Sequence, residues 1–226
     1  MPPLLIAIDG TAGAGKGTLA RALARRYHLA HLDTGCLYRA LGLAVLNQNL
    51  DPTDEQSVVD LARSLLSTLD LKNPALREEA VGVAASHVAA IPEVRALLFA
   101  FQRNFAQHPP EGMQGCVMDG RDIGRVVMPE ALCKIYVTAS PEVRATRRCK
   151  ELHEKGIYSI YDDILKDIRE RDERDQTRKV SPLIPAEDAF VLDTSQMTIE
   201  DVIHKACAYI DAKWVAPEKT RRAEGK

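Results

Sequence analysis

Gly10-Thr11-Ala12-Gly13-Ala14-Gly15-Lys16-Gly17-Thr18 is the stretch whose reading decides the fold. It follows an apolar run over residues 4–9 and leads straight into a segment of helical periodicity over residues 19–27. Strand, glycine-rich turn and helix in that order are the setting of a phosphate-binding loop. Glycines let successive backbone N–H groups curl around an anion with no Cβ in the way, and the helix N-terminus adds the positive end of its dipole. All nine residues are therefore candidates for cradling a nucleotide's phosphates, with Lys16 reaching the outer ones and Thr18 on the magnesium-bearing side. The strict pattern places Ser or Thr directly after the lysine, whereas here Gly17 intervenes. A glycine turn that merely joins strand to helix is the competing reading, and it explains neither the number of matches nor the flanks.

The rest of the chain alternates short apolar runs with helical segments. Residues 31–33 form a brief strand ending in Asp33-Thr34-Gly35, after which residues 36–46 read as a helix with Thr34 as its N-cap. Helices are expected over 54–69, 75–90 and 92–107, strands over 115–119 and 133–138, helices over 141–153 and 162–178, a last strand over 189–192 and a helix over 199–214. Buried parallel strands read as continuous apolar runs, and their alternation with helices implies one α/β domain: a central parallel sheet flanked by helices. Ligands in such folds gather beyond the C-terminal ends of the strands, where the phosphate loop, residues 33–35, Asp119 to Asp122 and Asp193 all fall. Residues 1–216 are read as this single domain and residues 217–226 as a flexible polar tail.

A chain of 226 residues suffices for one well-buried core, and a net charge of −2 provides no global field for nucleic acid or anionic lipid. No apolar run reaches the length of a membrane span, and the N-terminus lacks the features of a signal peptide. Cys36, Cys116, Cys133, Cys149 and Cys207 are scattered and odd in number, which fits a reducing, cytoplasmic setting. A monomer acting on small molecules is expected. His28, His31 and Cys36 lie near one another in sequence but lack the second ligand pair of a metal site, and read as a helix end and an edge strand.

Residues 141–179 hold eleven Lys or Arg against ten Asp or Glu. A salt-laced exposed face would account for that density. The spacing says more: Arg144, Arg147 and Arg148 share one helix face, Arg171, Asp175 and Arg178 another, and Gly156 lies between the two helices. Two arginine-bearing faces flanking a glycine hinge describe a helical lid, over about residues 147–175, that closes on phosphates. Asp119-Gly120-Arg121-Asp122 directly follows a buried strand. A carboxylate there can order metal-bound water, and the neighbouring arginine can pair with a phosphate in forked geometry; an Asp-Gly turn with a helix N-cap at Asp122 is compatible with both. No Ser/His/Asp set or reactive cysteine stands out. Phosphoryl transfer needs none, because its catalysis is positioning and charge neutralisation, and a phosphate acceptor needs no general base.

The chain resembles the bacterial cytidylate kinases. The segments that carry the resemblance are GTAGAGKGT at 10–18, LDTGCLYR at 32–39, AASHVAAIPEVR at 84–95, DGRDIG at 119–124, RERDERDQTR at 169–178 and LDTS at 192–195. They occur in the family's order over nearly the whole chain. The KGT ending is shared by nucleoside monophosphate kinases in general, which accounts for Gly17, while DGRD with RDxRD is more particular to this branch. The resemblance implies a P-loop NTPase fold and Mg²⁺-dependent transfer of the ATP γ-phosphoryl group to CMP or dCMP. It implies Thr34 beside the acceptor, Ser86, Arg95 and Asp122 at the cytosine edge, Arg171 and Asp175 at the ribose, and Arg39, Arg121 and Arg178 at the acceptor phosphate. Lys16, Arg121, Arg147 and Arg178 are then the candidate catalytic cations, with Thr18 and Asp119 serving Mg²⁺, the latter through water. Cytosine offers an amino donor for Asp122 and acceptors for Arg95, a pattern that uracil would partly invert.

One departure from the family is expected to matter. Many members insert a small antiparallel sheet between the second and third strands, whereas residues 69–80 here are too few and do not alternate. The acceptor subdomain, over about residues 36–107, should be small and helical. Two rivals remain: another kinase on the same scaffold, of adenylate or thymidylate type, and a nucleotide-dependent switch. The switch would normally show an N-K-x-D guanine reader on a late strand, and none is present.

Overall fold

A computed structural model describes residues 3–65 and 70–215. The expected tail and the end of the helix expected over 54–69 lie outside the described residues. Five strands, β1 (Leu4–Gly10), β2 (Ala30–Asp33), β3 (Gly115–Asp119), β4 (Cys133–Thr138) and β5 (Phe190–Asp193), form one parallel sheet in the order β2-β3-β1-β4-β5. The sequence of β1 explains its central place. Leu4, Ile6 and Ile8 face one core and Leu5 and Ala7 the other, so both sides of the strand are covered. The chain leaves β1 toward β2 and later returns on the other side to β4, so the strand order switches at β1, whose C-terminal end carries the phosphate loop.

On one face, α1 (Lys16–Tyr27) and α8 (Ile199–Asp211) bury Leu19, Leu23, Ala206 and Ile210 against the sheet. On the other, Ala106 of α5 (Pro92–Gln107) and a single π turn, Ile123–Val127, cover Cys116 and Met118. A separate core joins α2 (Thr34–Asn47), α3 (Glu55–Leu65), α4 (Glu79–Val88) and α5 through Leu41, Val45, Val58, Val88, Val94 and Leu98. Among the described residues, nothing between β2 and β3 is a strand. The closest helix pair here is α2 on α4, where a Cβ at Gly42 would lie 2.9 Å from the Ala85 backbone nitrogen. Arg39 of α2 and Ser86 of α4 thereby line one cleft.

The last unit is a hairpin of α6 (Pro141–Glu154) and α7 (Tyr161–Thr177). Its buried residues are Arg144, Ala145 and Asp175, so ion pairs rather than an apolar stripe hold it in place.

Three expectations about local structure are corrected. Residues 75–90 are two elements, because Pro74 and the Asn73 side-chain cap start a 3₁₀ turn, Pro74–Arg77, and Glu78 adopts extended backbone before α4 begins. Thr34 does not cap α2 but lies inside it; its hydroxyl donates to the Asp119 carbonyl at 2.8 Å, and Asp33 precedes the helix with no side-chain cap bond. Asp193 does not join the crevice, because its exposed carboxylate is used by the Ser195 amide and hydroxyl in a local turn.

Candidate active site

The donor side is built on the turn between β1 and α1. Gly13 and Gly15 have φ of 76° and 95°, the left-handed region that glycine enters without strain. The Lys16 ammonium is buried and donates to the Thr11 carbonyl at 2.7 Å. Burial, and then the Arg121 charge, draw its pKa down to about 7. The Thr11 hydroxyl is also buried and has no hydrogen-bond partner among the described residues. An anion in the loop would restore the lysine's charge and offer the hydroxyl an acceptor.

Two interactions that the sequence reading missed fix this loop. Asp9, at the end of β1, accepts from the Ile123 and Gly124 amides at 2.8 Å each, which ties the segment after β3 to the strand that feeds the loop. Burial pushes its pKa up to about 6 despite those bonds. Arg144 is a clasp: its guanidinium donates to the carbonyls of Ala139 and Ala12 at 2.9 and 3.1 Å and pairs in forked geometry with the Asp172 carboxylate. The shared face of Arg144, Arg147 and Arg148 is therefore divided in use. Arg147 donates to the hydroxyl and carbonyl of Thr194, and Arg148 pairs with Glu151 and, across the cleft, with Glu79. Neither Asp9 nor Glu79 stands in a motif, so only the fold reveals them.

The oxygen donors near the loop suit a hard cation. They are the Thr18 hydroxyl and the Asp119 carboxylate, and Mg²⁺ prefers oxygen ligands while keeping much of its water. A Cβ on Gly17 would lie 3.3 Å from Arg21 Nη1 and 3.8 Å from Asp119 Oδ2, so the bare side of this glycine looks onto the carboxylate. Thr18 receives a long 3.4 Å bond from Arg21, and Asp119 Oδ1 receives one of 2.8 Å from His31 Nε2.

The acceptor side is a cleft between the sheet, α2, α4, α5 and α7. All nine residues expected there line it: Thr34, Arg39, Ser86, Arg95, Arg121, Asp122, Arg171, Asp175 and Arg178. Five arginines meet two aspartates, so the lining carries excess positive charge. Asp122 accepts from Arg95 at 2.5 Å, both side chains 8% exposed, and has no N-capping bond to the turn it precedes. Asp175 accepts from Arg121 Nε at 2.7 Å. Burial opposes the Asp175 charge, yet Arg121 and Arg171 prevail and hold its pKa below the ordinary carboxylate value. Burial likewise opposes the Arg95 charge, and Tyr38 with Asp122 outweighs it, leaving the pKa raised. Tyr38 lies beneath Arg95 at 5.5 Å from its ring centroid, another partner not foreseen.

Arg39 donates to the Leu76 carbonyl at 2.7 Å and Arg178 Nε to the Ser181 carbonyl, but two nitrogens of the remaining arginines are left over. Arg171 Nε and Arg178 Nη2 are buried with no hydrogen bond among the described residues. Burial, reinforced by Arg121, draws the Arg171 pKa down to about 10, and burial also lowers those of Arg39 and Arg178. Buried polar atoms are seldom left unpaired in folded proteins. Arg171 and Arg178 both line the one cleft, whose excess of positive charge suits an anionic, oxygen-rich ligand.

Comparison with known proteins agrees with this geometry. A family model described as cytidylate kinase matches residues 6–212. The cytidylate kinase of Rhodospirillum rubrum is 54% identical over 203 residues, which cover 90% of this chain and 95% of that one. The cytidylate kinase of Paramagnetospirillum magneticum is 53% identical over 209 residues, covering 92% and 98%. Among solved structures, an uncharacterized protein from Eubacterium ventriosum aligns over 93% of this chain and 99% of its own, with a TM-score of 0.55 and 13% identity, a likeness of fold alone.

Proposed function

The chain belongs to the cytidylate kinase family and acts as a nucleoside monophosphate kinase with ATP as phosphate donor; from that premise we propose how its residues divide the work. Residues 10–18 hold the triphosphate, and the cleft beyond β1 and β3 holds CMP or dCMP. Asp122 accepts from the cytosine amino group, while Arg95 and Ser86 serve the carbonyl and ring nitrogen. Arg171 and Asp175 address the sugar. Arg39, Arg121 and Arg178 surround the acceptor phosphate. Residues 36–107 are the acceptor subdomain and residues 147–175 the lid of a single domain over residues 1–216. The protein is a cytoplasmic monomer working on free nucleotides, with no nucleic acid or membrane partner.

An oxygen of the acceptor phosphate attacks the γ-phosphorus. The bond from that phosphorus to the bridging oxygen breaks, and ADP leaves with the bond's electron pair. The acceptor's second pKa, about 6, leaves it dianionic at neutral pH, so no side chain has to remove a proton. What the chain supplies is alignment and positive charge. Lys16, Arg121 and Arg178 face the region between the two nucleotides, and Arg147 joins them when it exchanges Thr194 for phosphate oxygens. Thr18, and Asp119 through water, would hold Mg²⁺, which neutralises charge on the transferring group. The reading rests above all on the buried, unpartnered Arg171 and Arg178 nitrogens in a cleft already lined by a base-sized Asp122–Arg95 pair.

ADP release from Mg-ATP, measured with each nucleoside monophosphate in turn, tests the assignment. Rapid release is expected with CMP or dCMP only. Equal release with AMP, or release independent of any acceptor, would overturn it.

A further inference from the structure

We infer that His31 is a positioning residue for the metal-side carboxylate: by holding one oxygen of Asp119, it turns the other toward the phosphate loop. The inference rests on the reading that Asp119 serves Mg²⁺ through water. His31 is on β2, the edge strand, with its side chain 20% exposed, whereas that of Asp119 is 7% exposed. Register pairs Asp33 with Asp119, so His31 sits two residues before the point where the two strand ends meet. From there Nε2 lies 2.8 Å from Asp119 Oδ1. A carboxylate only accepts, so Nε2 carries the hydrogen in this contact.

The terminal torsion of an aspartate is broad, so a carboxylate held only by its backbone can turn its plane freely. One bond removes that freedom here, and a second steadies the backbone beneath it. Thr34 Oγ1 fixes the Asp119 backbone through its carbonyl, and His31 fixes the carboxylate itself. With Oδ1 engaged, Oδ2 is the oxygen that looks across the bare side of Gly17. An edge strand needs no imidazole for its own pairing, which is made by backbone groups. The hydrogen bond therefore serves the carboxylate's aim.

The test uses the full chain with His31→Phe and His31→Leu, which remove the donor, and His31→Gln, which can keep one. Partners of this kind commonly change metal affinity about 10- to 100-fold, and contact through water places the effect at the low end or below. Mn²⁺ binding to the enzyme–ATP complex, followed by the spectroscopic signal of free Mn²⁺, should weaken roughly 3- to 10-fold in both donor-free variants. His31→Gln should stay within about twofold of the parent. ATP binding without metal and the KM for CMP should not move, which separates aim from general damage to the strand. Two donor-free variants are used so that one that fails to fold leaves the other. Asp119→Asn is the parallel arm. If it leaves Mn²⁺ binding unchanged, the reading of Asp119 is wrong and the inference falls with it. If it weakens binding while both donor-free His31 variants match the parent, His31 only joins two strands and the inference alone is overturned.

Discussion

Replacing Asp122 by alanine removes the anionic half of a pair whose two side chains are each 8% exposed. Arg95 would keep the Ala89 carbonyl at 3.2 Å and the Tyr38 face at 5.5 Å. Deleting one partner of a buried pair costs about 3–5 kcal/mol, and the partners left to Arg95 place this case near the lower end. The expected loss is about 3 kcal/mol, or roughly 6–12 °C in Tm for a chain of this size. Substrate effects are separable from that loss. A hydrogen bond to a charged group contributes about 1.5–3 kcal/mol, so kcat/KM for CMP should fall about 10- to 150-fold. Uracil presents a carbonyl where cytosine presents its amino group, and the carboxylate repels it; without Asp122 the preference for CMP over UMP should shrink about 100-fold or more. The KM for ATP should stay within about twofold. Steady-state ADP release with CMP and UMP, beside urea melts of Asp122→Ala, Arg95→Ala and the double variant, provides both readouts. A coupling energy near zero between the two sites, or a rise in the KM for ATP with CMP preference intact, would refute the assignment of this pair.

Arg171→Ala should raise the KM for CMP at least about tenfold while changing the stability of the ligand-free protein by no more than about 1 kcal/mol, because relief of a half-buried cation is offset by the loss of its pull on the Asp175 carboxylate; calorimetry with and without CMP checks both, and an unchanged KM for CMP would refute the placing of Arg171 at the acceptor. Asp9 has a pKa of about 6 in the folded protein against 3.8 in a free chain, so between those values the native state keeps a proton that the unfolded chain releases. Its contribution is therefore most favourable below about pH 3 and is lost as pH rises through 6; parent stability relative to Asp9→Asn should fall by about 3 kcal/mol from about pH 3 to pH 7 in urea melts, and a flat or rising difference would contradict the burial of that carboxylate.

What was legible in the sequence was what chemistry repeats at fixed spacing. The phosphate loop and the apolar strands are carried by local patterns, and the nine acceptor-side residues by the resemblance to a family; the fold brings all nine to one cleft because their segments follow the C-terminal end of a strand or lie on a helix beside one. The helix break at Glu78 was obscured because apolar spacing continues across it, and Thr34 looked like a cap because hydroxyls favour that place; a tertiary acceptor, the Asp119 carbonyl, outweighed local preference. Period groups Arg144, Arg147 and Arg148 on α6, whereas Arg178 falls just past the end of α7 with extended backbone; period also says nothing of which partner each charge finds. Arg144, Arg147 and Arg148 turn to three different neighbours only because the phosphate loop, the turn after β5 and α4 happen to surround one helix. Asp9 and His31 carry no pattern, since their partners lie 114 and 88 residues away.

The clasp at Arg144 has a bearing on the order in which the molecule assembles. It reaches back 132 positions to Ala12 and forward 28 to Asp172, so the curvature of the nine-residue loop depends on helices made long after it. Closing so large a loop is slow compared with forming local turns. A nascent or truncated chain that ends before α7 contains the whole of GTAGAGKGT and yet has no Asp172 to hold the guanidinium. The first motif to be synthesised is thus among the last to complete its contacts, because the clasp that holds Ala12 is itself held by a residue in the final third of the chain.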